Sequence, residues 1–207
     1  MRIYGFPNTR SARALWTSEE ANATYDYVHV NLRQGEARGP AFLAVNPGGK
    51  LPALVDGGLI LTESAAVCIY IAEKYSLAQL VPTAVADRAR FNQWCFFVLS
   101  ELEQPLWTLA KHTFALPEGR RVAAIFDTAR WEFARAAGVL ALGLGDREYI
   151  VGETFTVADI LVAHTLAWAR SANVDLGHAT LDRYANRMLS RPALARARER
   201  EQAAASK

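Results

Sequence analysis

The stretch that decides the fold is residues 46–64, which read NPGGKLPALVDGGLILTES. Two short apolar runs flank the Asp-Gly-Gly at residues 56–58, and an Asp-Gly pair in this setting is typical of a β-hairpin. Ser64 follows the second run and precedes the apolar spacing of a helix over residues 64–75, for which it can serve as the N-cap. The stretch therefore predicts two paired strands that lead directly into a helix.

The residues before this stretch predict two more strands around a helix. Residues 2–5 and 25–30 are short runs with aromatic and β-branched residues, which favour strands. Between them, the apolar spacing over residues 11–21 predicts a helix. The order strand, helix, strand, strand, strand, helix predicts one mixed α/β domain over residues 1–76.

The remainder of the chain predicts an all-helical domain over residues 87–207, because no alternating strand pattern occurs there. A linker over residues 77–86 separates the two domains and carries Pro82 and small residues. Pro105 predicts a kink or break in the first helix, because proline lacks the backbone N–H. Helical patterns cover residues 87–112 and 118–142, a segment opened by a Thr156–Asp159 capping box, and residues 176–189 and 192–202.

The composition is that of an ordinary globular chain, since 51% of the 207 residues are hydrophobic and 21% are charged. The net charge of +2 indicates neither nucleic-acid binding nor a membrane surface. Arginines near the C-terminal end alternate with Glu199 and Glu201, which predicts a solvated helix face. Cys68 and Cys95 lie in apolar patterns and predict buried thiols, and the scattered histidines predict no metal site. No signal peptide or membrane span is visible, which predicts a cytoplasmic location.

Three pieces of the first domain together predict a ligand site. The loop over residues 6–11 places hydroxyls and N–H groups at a helix N-terminus, where anions are stabilised. Pro52 enters a strand from a turn, so the Leu51–Pro52 bond is a candidate for the cis form, which would leave the Leu51 backbone free to pair with an extended ligand. Glu63 and the amides that begin at Ser64 could hold a group with both carboxylate and ammonium. Each piece alone is typical of ordinary caps and turns, and their order and spacing favour a site.

Four segments resemble a known family. Residues 4–13, YGFPNTRSAR, resemble the first loop and helix of bacterial and phi- or theta-like glutathione transferases. Residues 42–54, FLAVNPGGKLPAL, resemble that family's NPxGKVPxL segment, and residues 61–67, LTESAAV, resemble its LxESxAI segment. Residues 155–159 resemble the capping box of its helical domain. The resemblance implies a thioredoxin-like domain followed by an all-α helical domain, usually as a homodimer, with glutathione as co-substrate and no metal.

The resemblance also implies roles for residues of the glutathione site. The Leu51 backbone would pair with the cysteinyl part of glutathione, and Glu63 and Ser64 would hold its γ-glutamyl end. Lys50 and Arg38 lie where family members often hold the glycyl carboxylate.

Thr9 falls where related enzymes carry a catalytic serine, and Ser11 is the neighbouring candidate for stabilising the thiolate. Threonine can donate the same hydrogen bond, although its branched Cβ restricts χ1. Arg13 could add positive potential, or it could be a surface or salt-bridged arginine. The candidates for an electrophile pocket are Phe6, Trp107, Lys111 and Phe114. Phe6 lies in the loop of the site, whereas the other three fit one helical face, a spacing that also describes core packing, where aromatic side chains are usually found.

The sequence therefore predicts a glutathione transferase that joins the glutathione thiolate to a hydrophobic electrophile, as in detoxification, with peroxide reduction as a side activity. The alternative is a non-catalytic glutathione-binding or protein-interaction module with the same fold. The intact Leu51–Pro52 and Glu63–Ser64 pairs favour ligand binding, whereas Thr9 in place of serine leaves the alternative open.

Overall fold

A computed structural model describes residues 1–76 and 79–205. Residues 77, 78, 206 and 207, which the predicted linker and helical domain include, lie outside the described part. The first half of the chain has the predicted succession of strands and helices. Its elements are β1 (Arg2–Gly5), α1 (Ser11–Glu20), β2 (Asp26–His29), α2 (Pro40–Leu43), β3 (Ala53–Asp56), β4 (Leu59–Leu61) and α3 (Ser64–Tyr75).

The four strands form one mixed sheet in the order β2-β1-β3-β4. β1 and β2 are parallel and are joined through α1, whereas β1 pairs with β3, and β3 with β4, in antiparallel fashion. Helices α1 and α3 pack against each other and against the sheet, which is the thioredoxin-like arrangement implied by the resemblance. Because Tyr4 pairs with Ala53, the C-terminal end of β1 lies beside the N-terminal end of β3.

Side chains alternate along β1, so that Ile3 and Tyr4 lie on opposite faces of the sheet. Ile3 is fully buried on the face that α1 and α3 cover. Tyr4 packs on the other face, against a cluster that includes Phe42 and Ala53. Burial of an aliphatic or aromatic side chain of this size contributes about 1.5–3 kcal/mol, so both faces stabilise the sheet.

The second half of the described chain is helical. The irregularity predicted at Pro105 takes the form of a wider π-helical turn over Val98–Leu102, which interrupts the regular α-helix just ahead of the proline. No helix of the described residues is long and apolar enough to cross a membrane. The elements are α4 (Val85–Phe97), α5 (Glu103–Ala110), α6 (Ile125–Leu144), α7 (Val157–Ser171) and α8 (Ala179–Leu189).

The capping box predicted at the start of α7 is present. The backbone N–H of Thr156 donates to Oδ2 of Asp159 over 2.9 Å. Oδ1 of the same carboxylate accepts from the Ile150 N–H at 2.8 Å and from the Tyr184 hydroxyl at 2.7 Å. Asp159 thereby ties the loop before α7 to helix α8, and its burial raises the pKa of its carboxyl above the ordinary value.

The last helix, α9 (Pro192–Ala205), packs on α1 and β2 of the first half. The chain accordingly divides into two compact units, residues 1–83 with 190–207, and residues 84–189. This division differs from the predicted one, in which everything from residue 87 onward is helical domain.

The arginine–glutamate face predicted to be solvated is exposed at Arg196, Arg198, Glu199 and Arg200, but some of its arginines also pair with the end of α1, and Glu201 is buried. Arg191 makes a two-point ion pair with Glu20, with Nε–Oε1 at 2.6 Å and Nη2–Oε2 at 2.9 Å. Arg196 and Arg200 both pair with Glu19, at 2.9 and 2.7 Å. The two acidic residues that end α1 thus attract the basic side of α9, which fixes α9 on the first unit.

Candidate functional site

The loop after β1 is held by a compact hydrogen-bond network of two hydroxyls. The Thr9 hydroxyl lies 2.8 Å from the Phe6 carbonyl oxygen, to which it donates, and 2.8 Å from Oγ of Ser11. Ser11 Oγ accepts from the Phe6 N–H at 3.1 Å. A Cβ at Gly5 would lie 2.7 Å from Cβ and Oγ of Ser11, so the glycine permits this close approach of strand and helix. The loop therefore presents its hydroxyls at the N-terminus of α1.

Of these two hydroxyls, only that of Thr9 belongs to a partly exposed residue. Ser11 is fully buried, and its hydroxyl also lies within 3.4 Å of Oε1 of Glu201, to which it donates. A buried hydroxyl cannot reach a ligand sulfur without rearrangement of the loop. The geometry thus favours Thr9 over Ser11 as the group that contacts a ligand, with Ser11 behind it.

Glu201 is a part of this network that sequence reasoning missed. It is 5% exposed, and burial raises the pKa of its carboxyl from 4.5 to about 7, while the Ser11 hydrogen bond and Arg198 lower it. The signal that could have found it is helical spacing. Glu201 lies seven and four residues after Leu194 and Ala197, which are both buried, and so it shares their face.

The peptide bond between Leu51 and Pro52 is cis, as the sequence indicated. Strand β3 begins at Ala53, two residues later than the first apolar residue of the predicted run, because proline has no N–H to add to the ladder. Leu51 consequently precedes Ala53, the first residue of β3 that pairs with β1, and lies outside the ladder. Its backbone is positioned to meet an extended ligand.

Arg13 lies inside the first unit and contacts the start of α3. Its side chain is fully buried and donates from Nη1 to Oγ of Ser64 over 3.1 Å. The structure thus excludes a surface arginine and shows a link between α1 and α3. Ser64 is buried as well, whereas Glu63 is exposed and has a φ of 64°, a left-handed conformation that is rare outside glycine and common at functional sites.

The predicted loop over residues 31–40 contains two 3-10 turns and brings Arg38 beside the turn that carries Lys50. Nη1 of Arg38 donates to the Gly48 carbonyl at 3.4 Å. The side chain of Asn46 shapes that turn, donating from Nδ2 to the Lys50 carbonyl at 2.7 Å and accepting from the Gly48 N–H at 2.9 Å. Both basic side chains are exposed at this corner of the first unit.

The four electrophile-pocket candidates fall in different units. Phe6 is partly exposed in the first unit, and its ring lies 5.2 Å from that of His29. In the second unit, Trp107 is half-buried and Phe114 is 68% exposed, so Phe114 is not a core residue there. Lys111 begins a π-helical turn that ends at Ala115. A pocket formed by these four residues stays a prediction.

Within residues 1–76 and 79–205, the His, Cys, Asp and Glu side chains form no candidate metal site. In that part of the chain, no group of three or more His, Cys, Asp and Glu residues is placed to hold a metal ion. Cys68 and Cys95 are buried thiols, as predicted, and burial raises the pKa of the Cys68 thiol to about 11.

Comparison with known proteins supplies the family. The model of "Glutathione S-transferase, N-terminal domain" matches residues 1–73, and that of "Glutathione S-transferase, C-terminal domain" matches residues 103–192. Glutathione S-transferase GST-4.5 of Xanthomonas campestris pv. campestris is 34% identical over 155 residues, which cover 74% of this chain and 76% of that protein. Glutathione S-transferase 2 of Anopheles gambiae is 31% identical over 173 residues, which cover 81% of this chain and 79% of that protein.

A solved structure described as a ternary complex of BphK, a bacterial glutathione S-transferase, matches with a TM-score of 0.87 and 29% identity. The match covers 98% of this chain and 100% of that one. The two family models together span most of the chain, and the relatives match it over about three quarters of its length. This chain belongs to the glutathione S-transferase family.

Proposed function

We propose that the protein binds glutathione in its first unit and joins the glutathione thiolate to a hydrophobic electrophile, with Thr9 as the residue that stabilises the thiolate. The observation that carries the proposal is the register of β1 and β3, in which Tyr4 pairs with Ala53. Continued by two residues, this register brings the loop that begins at Phe6 opposite Leu51. Thr9 and the backbone of Leu51 therefore lie at the same edge of the sheet, and the relatives are named as glutathione transferases.

The same edge carries groups of the right charge for the two ends of a zwitterionic tripeptide. The N-terminus of α3 at Ser64 favours a carboxylate, and the exposed Glu63 beside it can accept from an ammonium group. Lys50 and Arg38 are exposed cations near Leu51 that suit a second carboxylate. Arg13 supports the first of these subsites from behind, through its hydrogen bond to Ser64.

Stabilising the thiolate requires a moderate free energy that this loop can supply. A free thiol has a pKa of about 8.5, and lowering it by about 2 requires about 2.7 kcal/mol. A hydrogen bond from a hydroxyl to a charged acceptor contributes about 1.5–3 kcal/mol, and a helix N-terminus adds about 0.3–1 kcal/mol. The Thr9 hydroxyl and the start of α1 together reach that range, so no general base is needed.

The thiolate then attacks an electrophilic carbon and forms a C–S bond, and the electron pair displaced from carbon leaves with the leaving group or moves onto an activating substituent. We expect peroxide reduction as a side activity, because the same thiolate can attack a peroxide oxygen, breaking the O–O bond and releasing the alcohol. The resulting sulfenic acid then condenses with a second glutathione to give glutathione disulfide and water. A homodimer, which the family resemblance implies, and a cytoplasmic location, which the sequence predicts, belong to the same proposal. Light scattering coupled to gel filtration measures the oligomeric state.

The decisive experiment is an ultraviolet difference titration of bound glutathione, which follows thiolate absorbance against pH in the wild type and in Thr9→Ala. We expect a lowered thiol pKa in the wild type. Loss of the hydroxyl should reduce the thiol ionisation constant and the kcat for a chloronitrobenzene substrate by about 10- to 100-fold, which corresponds to the hydrogen bond above. Thr9→Ser should retain the effect, because serine donates the same bond.

Thr24→Ala is the matched control, since Thr24 is an exposed threonine in the turn before β2. Unchanged thiol pKa and rate in Thr9→Ala would refute Thr9 as the stabilising residue. A wild type that does not bind glutathione would refute the transferase proposal as a whole and would favour the protein-interaction module.

A further inference from the structure

Glu201 lies behind the loop that carries Thr9, and hydrogen bonds connect the two residues. The Thr9 and Ser11 hydroxyl oxygens are 2.8 Å apart, and Ser11 Oγ is 3.4 Å from Oε1 of Glu201. Both Ser11 and Glu201 are buried, so bulk water does not replace these contacts. The carboxyl group thus ends a chain of hydroxyls that begins at the proposed glutathione sulfur.

We propose that Glu201 is a positioning residue for the Thr9 hydroxyl. In its protonated form it donates to Ser11 Oγ, so that Ser11 no longer accepts the Thr9 proton. That proton is donated to the Phe6 carbonyl oxygen in the ligand-free protein and turns to the sulfur when glutathione binds. This inference rests on the proposed function, because it assigns a second residue to the same thiolate.

Counting protons and lone pairs gives the direction of the effect. Ser11 Oγ already accepts one hydrogen bond, from the Phe6 N–H. When Glu201 is protonated, its O–H takes the second acceptor position on Ser11 Oγ, so Thr9 can no longer donate there. When Glu201 is ionised it can only accept, so Ser11 donates to it and becomes an acceptor that competes with the sulfur for the Thr9 proton. The Phe6 carbonyl oxygen lies within hydrogen-bond distance of both hydroxyls and competes in either state, so it does not change the direction of the effect.

Electrostatics acts in the same direction as the hydrogen bonds. An ionised Glu201 places a buried negative charge two hydroxyls from the developing thiolate, and like charges disfavour each other's ionised forms. Protonation of Glu201 removes that charge. Both effects therefore make the glutathione thiol easier to ionise while Glu201 is neutral.

Burial, rather than the charged groups that face Glu201, has the largest effect on its protonation. Helix α1 presents the Ser11 hydroxyl, and β2 with the residue before it presents the phenols of Tyr27 and Tyr25, which are neutral near pH 7. The cation that acts on it is Arg198 of its own helix, an exposed residue. Burial outweighs Arg198 and raises the pKa of Glu201 to about 7, so both forms occur in the physiological range.

The test compares Glu201→Gln with the wild type in the same thiolate titration. A glutamine amide is uncharged and can donate to Ser11 at every pH, so it imitates the protonated carboxyl. We expect the thiol ionisation constant of bound glutathione to rise about three- to tenfold in Glu201→Gln when both are measured above pH ~7. Glu199→Gln removes the same charge from an exposed position of α9 and should leave the constant unchanged.

A double variant separates the hydrogen-bond chain from charge alone. In a Ser11→Ala background the chain is interrupted, so Glu201→Gln should then change the ionisation constant much less than it does in the wild type. An equal effect in both backgrounds, or no effect in either, would overturn the proposal. Circular dichroism and glutathione titration calorimetry show whether each variant is folded and binds.

Failure of this inference is distinguishable from failure of the proposed function. If the wild type does not lower the thiol pKa, the proposed function fails at Thr9. If Thr9→Ala abolishes a lowered pKa and Glu201→Gln has no effect, only the role of Glu201 is wrong. Infrared spectroscopy of the ligand-free protein adds a readout that does not need glutathione. At pH ~6 the wild type should show the C=O stretch of a protonated Glu201 carboxyl, and this band should be missing from Glu201→Gln.

Discussion

Replacing Glu201 by glutamine should stabilise the fold above neutral pH and leave its stability almost unchanged in mild acid. Burial raises the pKa of this carboxyl from 4.5 to about 7 in the folded protein, whereas in the unfolded chain it titrates at its ordinary value. Between these two pH values the folded state holds a proton that the unfolded state has released. The free energy of unfolding of the wild type therefore falls as the pH rises through this window.

The size of the effect follows from the two pKa values. Each pKa unit corresponds to about 1.36 kcal/mol, so the wild type loses about 3 kcal/mol of stability between about pH 4.5 and pH 7 through this one group. Glutamine has no proton to lose. We therefore expect Glu201→Gln to exceed the wild type by about 3 kcal/mol at about pH 8, and the difference should disappear near pH ~4.5.

Urea unfolding followed by tryptophan fluorescence, at about pH 4.5, 6 and 8, measures this difference. Other carboxyl groups titrate in the same range, but they are common to both proteins and cancel in the comparison. Glu199→Gln should show no such pH-dependent gain, because Glu199 is exposed. A difference between Glu201→Gln and the wild type that does not vary with pH would refute the assignment of a raised pKa to Glu201.

Two further substitutions test the packing described above. Gly5→Ala should lower the free energy of unfolding in urea by about 1–3 kcal/mol, because the added Cβ would lie 2.7 Å from Ser11. Gly58→Ala, which has open space around it, should lower it by less than about 1 kcal/mol. Equal losses would contradict the close approach at Gly5. Asp159→Ala should cost about 3–5 kcal/mol, because four buried donors lose their acceptor, against less than about 1 kcal/mol for the exposed Asp127 of α6. A small loss at Asp159 would show that the capping box is dispensable.

Local signals made most of the fold predictable. The Asp-Gly-Gly turn at residues 56–58 and the capping box at Thr156 are each decided by residues within a few positions of one another. Ser64 is not the predicted N-cap: it is the first residue of α3, and its hydroxyl accepts from Arg13 of α1. At Pro105 the helical spacing of apolar residues and the effect of proline on a helix point in opposite directions. Pro105 removes one helical hydrogen bond, and the sequence does not show that a π-helical turn absorbs the loss.

The candidate site was predictable only where it consists of short motifs. Thr9, Leu51 and Ser64 each lie in such a motif, but their environment depends on contacts between distant parts of the chain. Ser11, for example, is buried and contacts Glu201, which lies 190 residues away in sequence. The alternating arginines and glutamates of α9 indicated a solvated helix because charge patterning describes one helix at a time. Charge patterning cannot show that Glu19, on helix α1, forms ion pairs with two arginines of α9.

The ion pairs between α9 and the end of α1 also bear on synthesis of the protein. The first unit is discontinuous in sequence, since residues 84–189 separate its two parts. A ribosome therefore makes all of residues 84–189 before it supplies the arginines that pair with Glu19 and Glu20. Until then Glu19 and Glu20 of the nascent first unit lack their arginine partners and one side of α1 is uncovered, so the first unit can be completed only after residues 84–189 have been synthesised.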